Sequence, residues 1–229
     1  MTFQSDDPDA VRMEVTRLAA RGVDGIKAVF HGSVEAGRPS LPTLSLETLR
    51  AIVDEATRHG LWVAVHAGPL GESAAAAEAG ATTIEHGVRH GNTIDEATLE
   101  TLREKEIVYV PTLGQEPGAE NNIPALLAAG VTIGVGTDAA DYHDELARLA
   151  DAGMSAVDVL LAATRNGANA LRLGDELGTI EEGKLADLIL VAGEPWNDVR
   201  DLRSVIAVIQ GGRLVVDKRG DAWPEHSTL

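Results

Sequence analysis

The chain has 229 residues, enough for one α/β domain or a domain with a small appendage. A formal charge of −17 excludes nucleic acid and anionic membrane as natural partners, because both require clustered Lys and Arg. The absence of cysteine removes disulfides, thiolate metal sites and a Cys nucleophile at once, so any metal must be held by His, carboxylate or a modified Lys.

The N-terminal residues are acidic and lack the basic start and apolar core of a signal peptide. No apolar run reaches the length of a membrane span. A cytoplasmic protein is therefore expected. From the N-terminus, Val11, Val15, Leu18 and Ala19 recur at helical spacing, with Gly22 as a stop. A strand over 26–30 follows, then a Gly/Pro/Ser-rich loop over 31–44. Ser45 is a candidate N-cap for a helix to His59, and Gly60 is its stop signal. The pattern then repeats: strand 61–66, helix 72–78, strand 82–86, helix 95–105, strand 107–110. A second Gly/Pro-rich loop spans 111–124, before helix 125–129 and strand 131–136. Residues 146–171 read as helical, with Gly153 and Gly167 as interruptions.

The texture changes near Arg172. Short β-like runs at 188–191, 205–209 and 214–216 are punctuated by glycine, and Gln210-Gly211-Gly212-Arg213 reads as a hairpin turn. The domain reading is a partial barrel over 1–172, β strands over 173–220 and a polar tail over 221–229.

Polar residues close the apolar runs: Lys27 after Gly25-Ile26, His66 after Trp62 to Val65, His86 after Thr83-Ile84-Glu85, and Asp138 after Ile133 to Thr137. Alternating strands and helices imply a parallel sheet, and in a barrel of such units the C-terminal strand ends converge on one mouth. Adjacent strand ends lie about 5 Å apart, a separation that one or two metal ions can span. The other reading of His66 and His86 is a hydrogen-bonded pair. Lys27 either becomes an anionic carbamate that bridges cations, or snorkels to solvent or pairs with Asp24 or Asp138. Asp138 can bind metal and take a proton from metal-activated water. His31 and His143 are candidate substrate contacts, while His59, His90 and His226 read as a helix terminus, a surface position and part of the tail. Neither a phosphate-binding glycine loop nor a serine nucleophile elbow occurs.

In order along the chain, GIKAVFHG, LRAIVDEATRHGLWVAVHAG, AAEAGATTIEHG, GVTIGVGTDAA, AGMSAVDVLLAATRNGANALRL, GTIEEGKLADLILVAGEPWNDV and IQGGRLV resemble the amidohydrolase superfamily. The similarity is to its imidazolonepropionase-like and Xaa-Pro-dipeptidase-like members, from about Val23 to Val216. It implies an α/β fold holding about the last five βα units of a TIM-like (β/α)8 barrel, with C-terminal strands from a composite β-sandwich. Lys27 then falls at the carboxylated metal bridge, His66 and His86 at metal ligands, and Asp138 at the residue that binds metal and acts as acid/base. The implied activity is metal-dependent hydrolysis of non-peptide or dipeptide C–N bonds in a small molecule. One or two divalent ions are implied, zinc foremost.

The chain departs from the resemblance in carrying no His-x-His pair, and in showing HAG where relatives often have a second histidine two residues after His66. Only five strand signals precede residue 170, whereas a closed barrel of this type uses eight. A truncated, inactive fragment, or one subunit of a split enzyme completed by an N-terminal fragment bearing His-x-His, is the alternative. Exposed strand edges also make a homo-oligomer an expectation.

Overall fold

The structure, a computed structural model, describes residues 3–31, 44–88 and 92–219. Most of the expected loop 31–44, His90 and the tail from 220 lie outside the described residues. Four strands, β1 (Gly25–Val29), β2 (Trp62–His66), β3 (Thr83–Glu85) and β4 (Val108–Val110), form one parallel sheet in that order. The helices before and between them are α1 (Pro8–Ala19), α2 (Leu46–Arg58), α3 (Leu70–Ala79) and α4 (Glu96–Glu104). α5 (Ile123–Ala128) follows the loop after β4.

Local chemistry accounts for the helix starts. Asp7, Ser45 and Asp95 accept hydrogen bonds from the backbone N–H groups of the first turns of α1, α2 and α4, satisfying donors that have no partner within the helix. The core lies between these helices and one face of the sheet. Ile26 and Ala28 of β1, Val63 and Val65 of β2, Ile84 of β3 and Tyr109 of β4 are all buried against them. Burial of each large side chain contributes about 1.5–3 kcal/mol.

The opposite face carries Lys27, Trp62, His66, Thr83 and Glu85, because strand residues two apart share a face. The register sets Gly25 opposite Trp62, Lys27 opposite Ala64 and His66 opposite Glu85. Gly25 is required there, since a Cβ would sit 2.1 Å from the indole of Trp62.

The expected strand over 131–136 does not form as such. It touches the sheet through a single bridge, Ile133 to Tyr109, held by Tyr109 N–H to Thr132 O at 2.9 Å and Gly134 N–H to Tyr109 O at 3.0 Å. Its glycines permit the close approach: a Cβ on Gly136 would lie 2.5 Å from Val110 Cγ1. The expected helix over 146–171 divides into α6 (Tyr142–Asp151) and α7 (Ala156–Leu161), followed by a wide π-type turn (Ala162–Asn166) and α8 (Gly167–Ala170). Gly153, at φ +111°, makes the break. Gly167 makes none, because it keeps right-handed helical geometry, φ −61° and ψ −45°.

A separate antiparallel sheet holds β5 (Leu188–Val191), β6 (Val205–Gln210) and β7 (Arg213–Asp217) in that order. Gly211 and Gly212 both have positive φ, as the two-residue hairpin turn between β6 and β7 requires. A 3-10 turn (Val199–Arg203) ties this region to α6, where Arg203 bridges Asp141 and Asp144. Among the described residues no helix is long and apolar enough to cross a membrane.

Candidate functional site

The ends of β1, β2 and β3 bring three imidazoles into a row. His31 follows β1, where the neighbouring Phe30 N–H donates to His66 O at 3.0 Å. The rings of His31 and His66 meet edge-on at 5.3 Å, and those of His66 and His86 at 4.2 Å. The last separation fits the strand spacing anticipated from the sequence.

Lys27 and Asp138 belong to the same electrostatic neighbourhood. Burial pushes the His66 ring down to about 4; nearby His86, His31 and Lys27 add to the effect, and Asp138 opposes it. His66 is therefore neutral near pH 7, with a nitrogen lone pair to offer. Lys27 keeps an exposed side chain, yet protein packed around its amine holds its pKa below the ordinary lysine value, while Glu85 and Asp138 push it back up. Glu85 and Asp138 are thus its acidic neighbours in the electrostatics of the rim.

Backbone geometry sets the strand ends apart. His86 has φ +78°, Thr112 +47°, Asp138 +43° and Ala139 +73°. Left-handed backbone is uncommon for such residues and concentrates at functional sites, at a cost of about 1–3 kcal/mol each. His86 is anchored through its N–H to Val110 O at 2.9 Å, and its Nδ1 lies 3.1 Å from Thr112 Oγ1. Glu116 Oε1 approaches the same Nδ1 at 3.7 Å.

Several of these contacts have no counterpart in the sequence reading. Glu72, in the first turn of α3, places Oε2 3.2 Å from His31 Nδ1 and accepts the Gly68 N–H at 3.2 Å. Glu85 accepts a short hydrogen bond from Thr83 Oγ1. Period-two alternation could have flagged Glu85, which shares the Lys27 face. Glu72, Thr112 and Glu116 reach the rim from a helix start and a loop, and no motif announces them.

His143 is not brought into this row. Its ring packs against Tyr142 at 5.9 Å, and its buried Nδ1 has no hydrogen-bond partner among the described residues. His59 is the expected helix terminus, capping α2 with its ring beside Thr16 and Glu55.

The neutral imidazole of His66, its neighbouring histidines, a carboxylate and an amine held below its normal pKa are groups that suit a divalent cation. Among the described residues no three His, Asp or Glu side chains lie close enough together to hold one. A carbamate on Lys27 would supply the further oxygen donors.

A parallel α/β sheet with ionisable residues gathered at its C-terminal rim defines a class of protein, and residues 1–215 match the amidohydrolase family. The chain belongs to that family, which implies a TIM-like barrel. It is 29% identical to the ochratoxinase of Aspergillus niger over 97% of this chain and 52% of that enzyme. It is 33% identical to the imidazolonepropionase of Symbiobacterium thermophilum over 76% of this chain and 44% of that one. Among solved structures, a Xaa-Pro dipeptidase with bound methionine superposes with a TM-score of 0.81 at 29% identity, covering 94% of this chain and 62% of that one. The chain thus spans about half the length of the curated relatives it matches.

Proposed function

We propose that this chain carries the metal-binding and proton-transfer residues of a hydrolase acting on C–N bonds of small amides, dipeptides or related non-peptide substrates. The observation that carries the reading is the convergence of Lys27, His66, His86 and Asp138 at one rim, with His66 held neutral. On this reading the sheet corresponds to about the last five βα units of a TIM-like barrel, and residues 173–220 form an appended β unit.

Lys27 as a carbamate, His66, His86 and Asp138 would hold one or two divalent ions, zinc foremost. Bound metal supplies Lewis acidity, which polarises a carbonyl and brings the pKa of water toward neutrality. Asp138, exposed at the rim, accepts the proton that water loses as its oxygen bonds to the carbonyl carbon. The same carboxyl then delivers that proton to the leaving nitrogen as the C–N bond breaks. His31, held by Glu72, contacts the substrate beside His66. The substrates in the names of the relatives (ochratoxin, an imidazolone, Xaa-Pro dipeptides) make a first screening panel.

The test is turnover of that panel by metal-loaded protein. Asp138→Asn should lower kcat by about 10²–10⁴-fold while metal content falls by less than half. Unchanged turnover in Asp138→Asn would refute the acid/base role. A second reading is favoured by the absence of any His-x-His pair from these 229 residues: turnover then requires a further segment that supplies it. That reading expects activity only when such a segment is present.

A further inference from the structure

We infer that Thr112 and Glu116 are positioning residues that fix the tautomer of His86, so that its Nε2 carries the lone pair presented to a metal. This deepens the metal reading above and rests on it. His86, Thr112 and Glu116 are all buried, the last two at 2% and 7% exposure. Thr112 Oγ1 stands 3.1 Å from His86 Nδ1, and Glu116 Oε1 stands 3.7 Å from it. A neutral imidazole has one donor and one acceptor nitrogen, and a carboxylate only accepts. A lone pair on Nδ1 would face the Glu116 oxygen and be repelled. The proton therefore resides on Nδ1 and is accepted by Thr112 Oγ1, which leaves Nε2 as the ligating nitrogen. Metal-binding histidines are generally oriented in this way, by an acceptor on the ring nitrogen away from the metal.

The backbone is arranged for this contact. Thr112 is β-branched yet sits at φ +47°, where such residues are genuine outliers. One turn on, the Glu116 N–H donates to Thr112 O at 3.2 Å, so one turn of chain carries both groups that approach His86 Nδ1. His86 itself lies at φ +78°. Two strained residues thus meet in one buried hydrogen bond.

The experiment is competition of the whole chain against a chromophoric chelator for Zn²⁺, with melting temperatures and ¹⁵N imidazole spectra recorded for each protein. Thr112→Val keeps the shape and removes the hydroxyl, while Thr112→Ser keeps the hydroxyl. Thr112→Val and Glu116→Gln should each weaken Zn²⁺ binding by about 10–100-fold, and Thr112→Ser should restore it to within a few-fold. Metal-free wild type should show His86 protonated on Nδ1, and Thr112→Val should move that proton toward Nε2. Variants with wild-type affinity and tautomer, or losses that follow melting temperature alone, overturn the inference. If wild-type protein takes up no Zn²⁺, the metal reading falls and the spectra decide the orientation alone. An Nδ1 proton lost in Thr112→Val then upholds it, and an Nε2 proton in the wild type overturns it.

Discussion

His66 is the residue on which the rim's electrostatics converge. Its ring titrates near 6.5 in an unfolded chain and at about 4 in the fold, chiefly through burial, with the positive charge of neighbouring groups adding to it. Between those values the unfolded state binds more protons, so stability must fall as pH drops through the window from 6.5 to 4. The full shift corresponds to roughly 3 kcal/mol, and solvent at this half-buried ring reduces the expected effect to about 1–2 kcal/mol. Urea unfolding of wild type and His66→Gln should therefore diverge in pH dependence, the variant losing less stability on acidification. Identical slopes in the two proteins would show that burial at this ring has been misread. The apolar run ending in a histidine made His66 readable from sequence. The neighbours that tune it could not be read, because Lys27 and Asp138 are 39 and 72 positions away along the chain.

Among the elements, strand tips are legible and the supports beneath them are not. Each expected strand that closes on a histidine exists, since an apolar run followed by a polar residue reflects a buried strand emerging at a rim. The segment over 131–136 has the same pattern but gains only one bridge, because Gly134 and Gly136 let it lie against Val108 and Val110 with little ladder pairing. Support for the His86 loop comes from Asn122, distant in sequence and 1% exposed. Its amide nitrogen donates to Val88 O and Asn92 O at 3.0 and 3.1 Å, and its oxygen accepts the Ile94 N–H at 2.9 Å. Tyr109 adds a fourth tie by accepting the Val88 N–H at 2.9 Å, and burial pushes its hydroxyl up to about 12. Asn122→Ala leaves the buried Val88 O and Ile94 N–H unmatched and should cost about 2–4 kcal/mol, read as a lowered urea midpoint. A cost below about 0.5 kcal/mol, the range of ordinary surface changes, would mean the loop is held by other means.

On the scale of the whole molecule, the α/β class was legible from alternating strand and helix patterns, and the antiparallel region from the glycine-spaced runs after Arg172. The balance between the sheet's two faces was not, because it depends on what packs against the face opposite the helices. There Trp62, Ala64, Glu85 and Val110 line a cavity of about 750 Å³, closed in part by Leu185 and Ile189. Val29 at 54% and Ile180 at 86% exposure leave more apolar surface in water than a two-layer α/β core requires. On the proposed function the rim binds a divalent metal through Lys27, His66, His86 and Asp138. Its most direct test is metal content per chain by mass spectrometry, after expression with zinc and bicarbonate supplied. About one ion or more per chain is expected, lost in His66→Ala and reduced in Lys27→Ala while both variants stay folded. Folded wild-type protein that emerges metal-free, or metal retained equally by both variants, would contradict it.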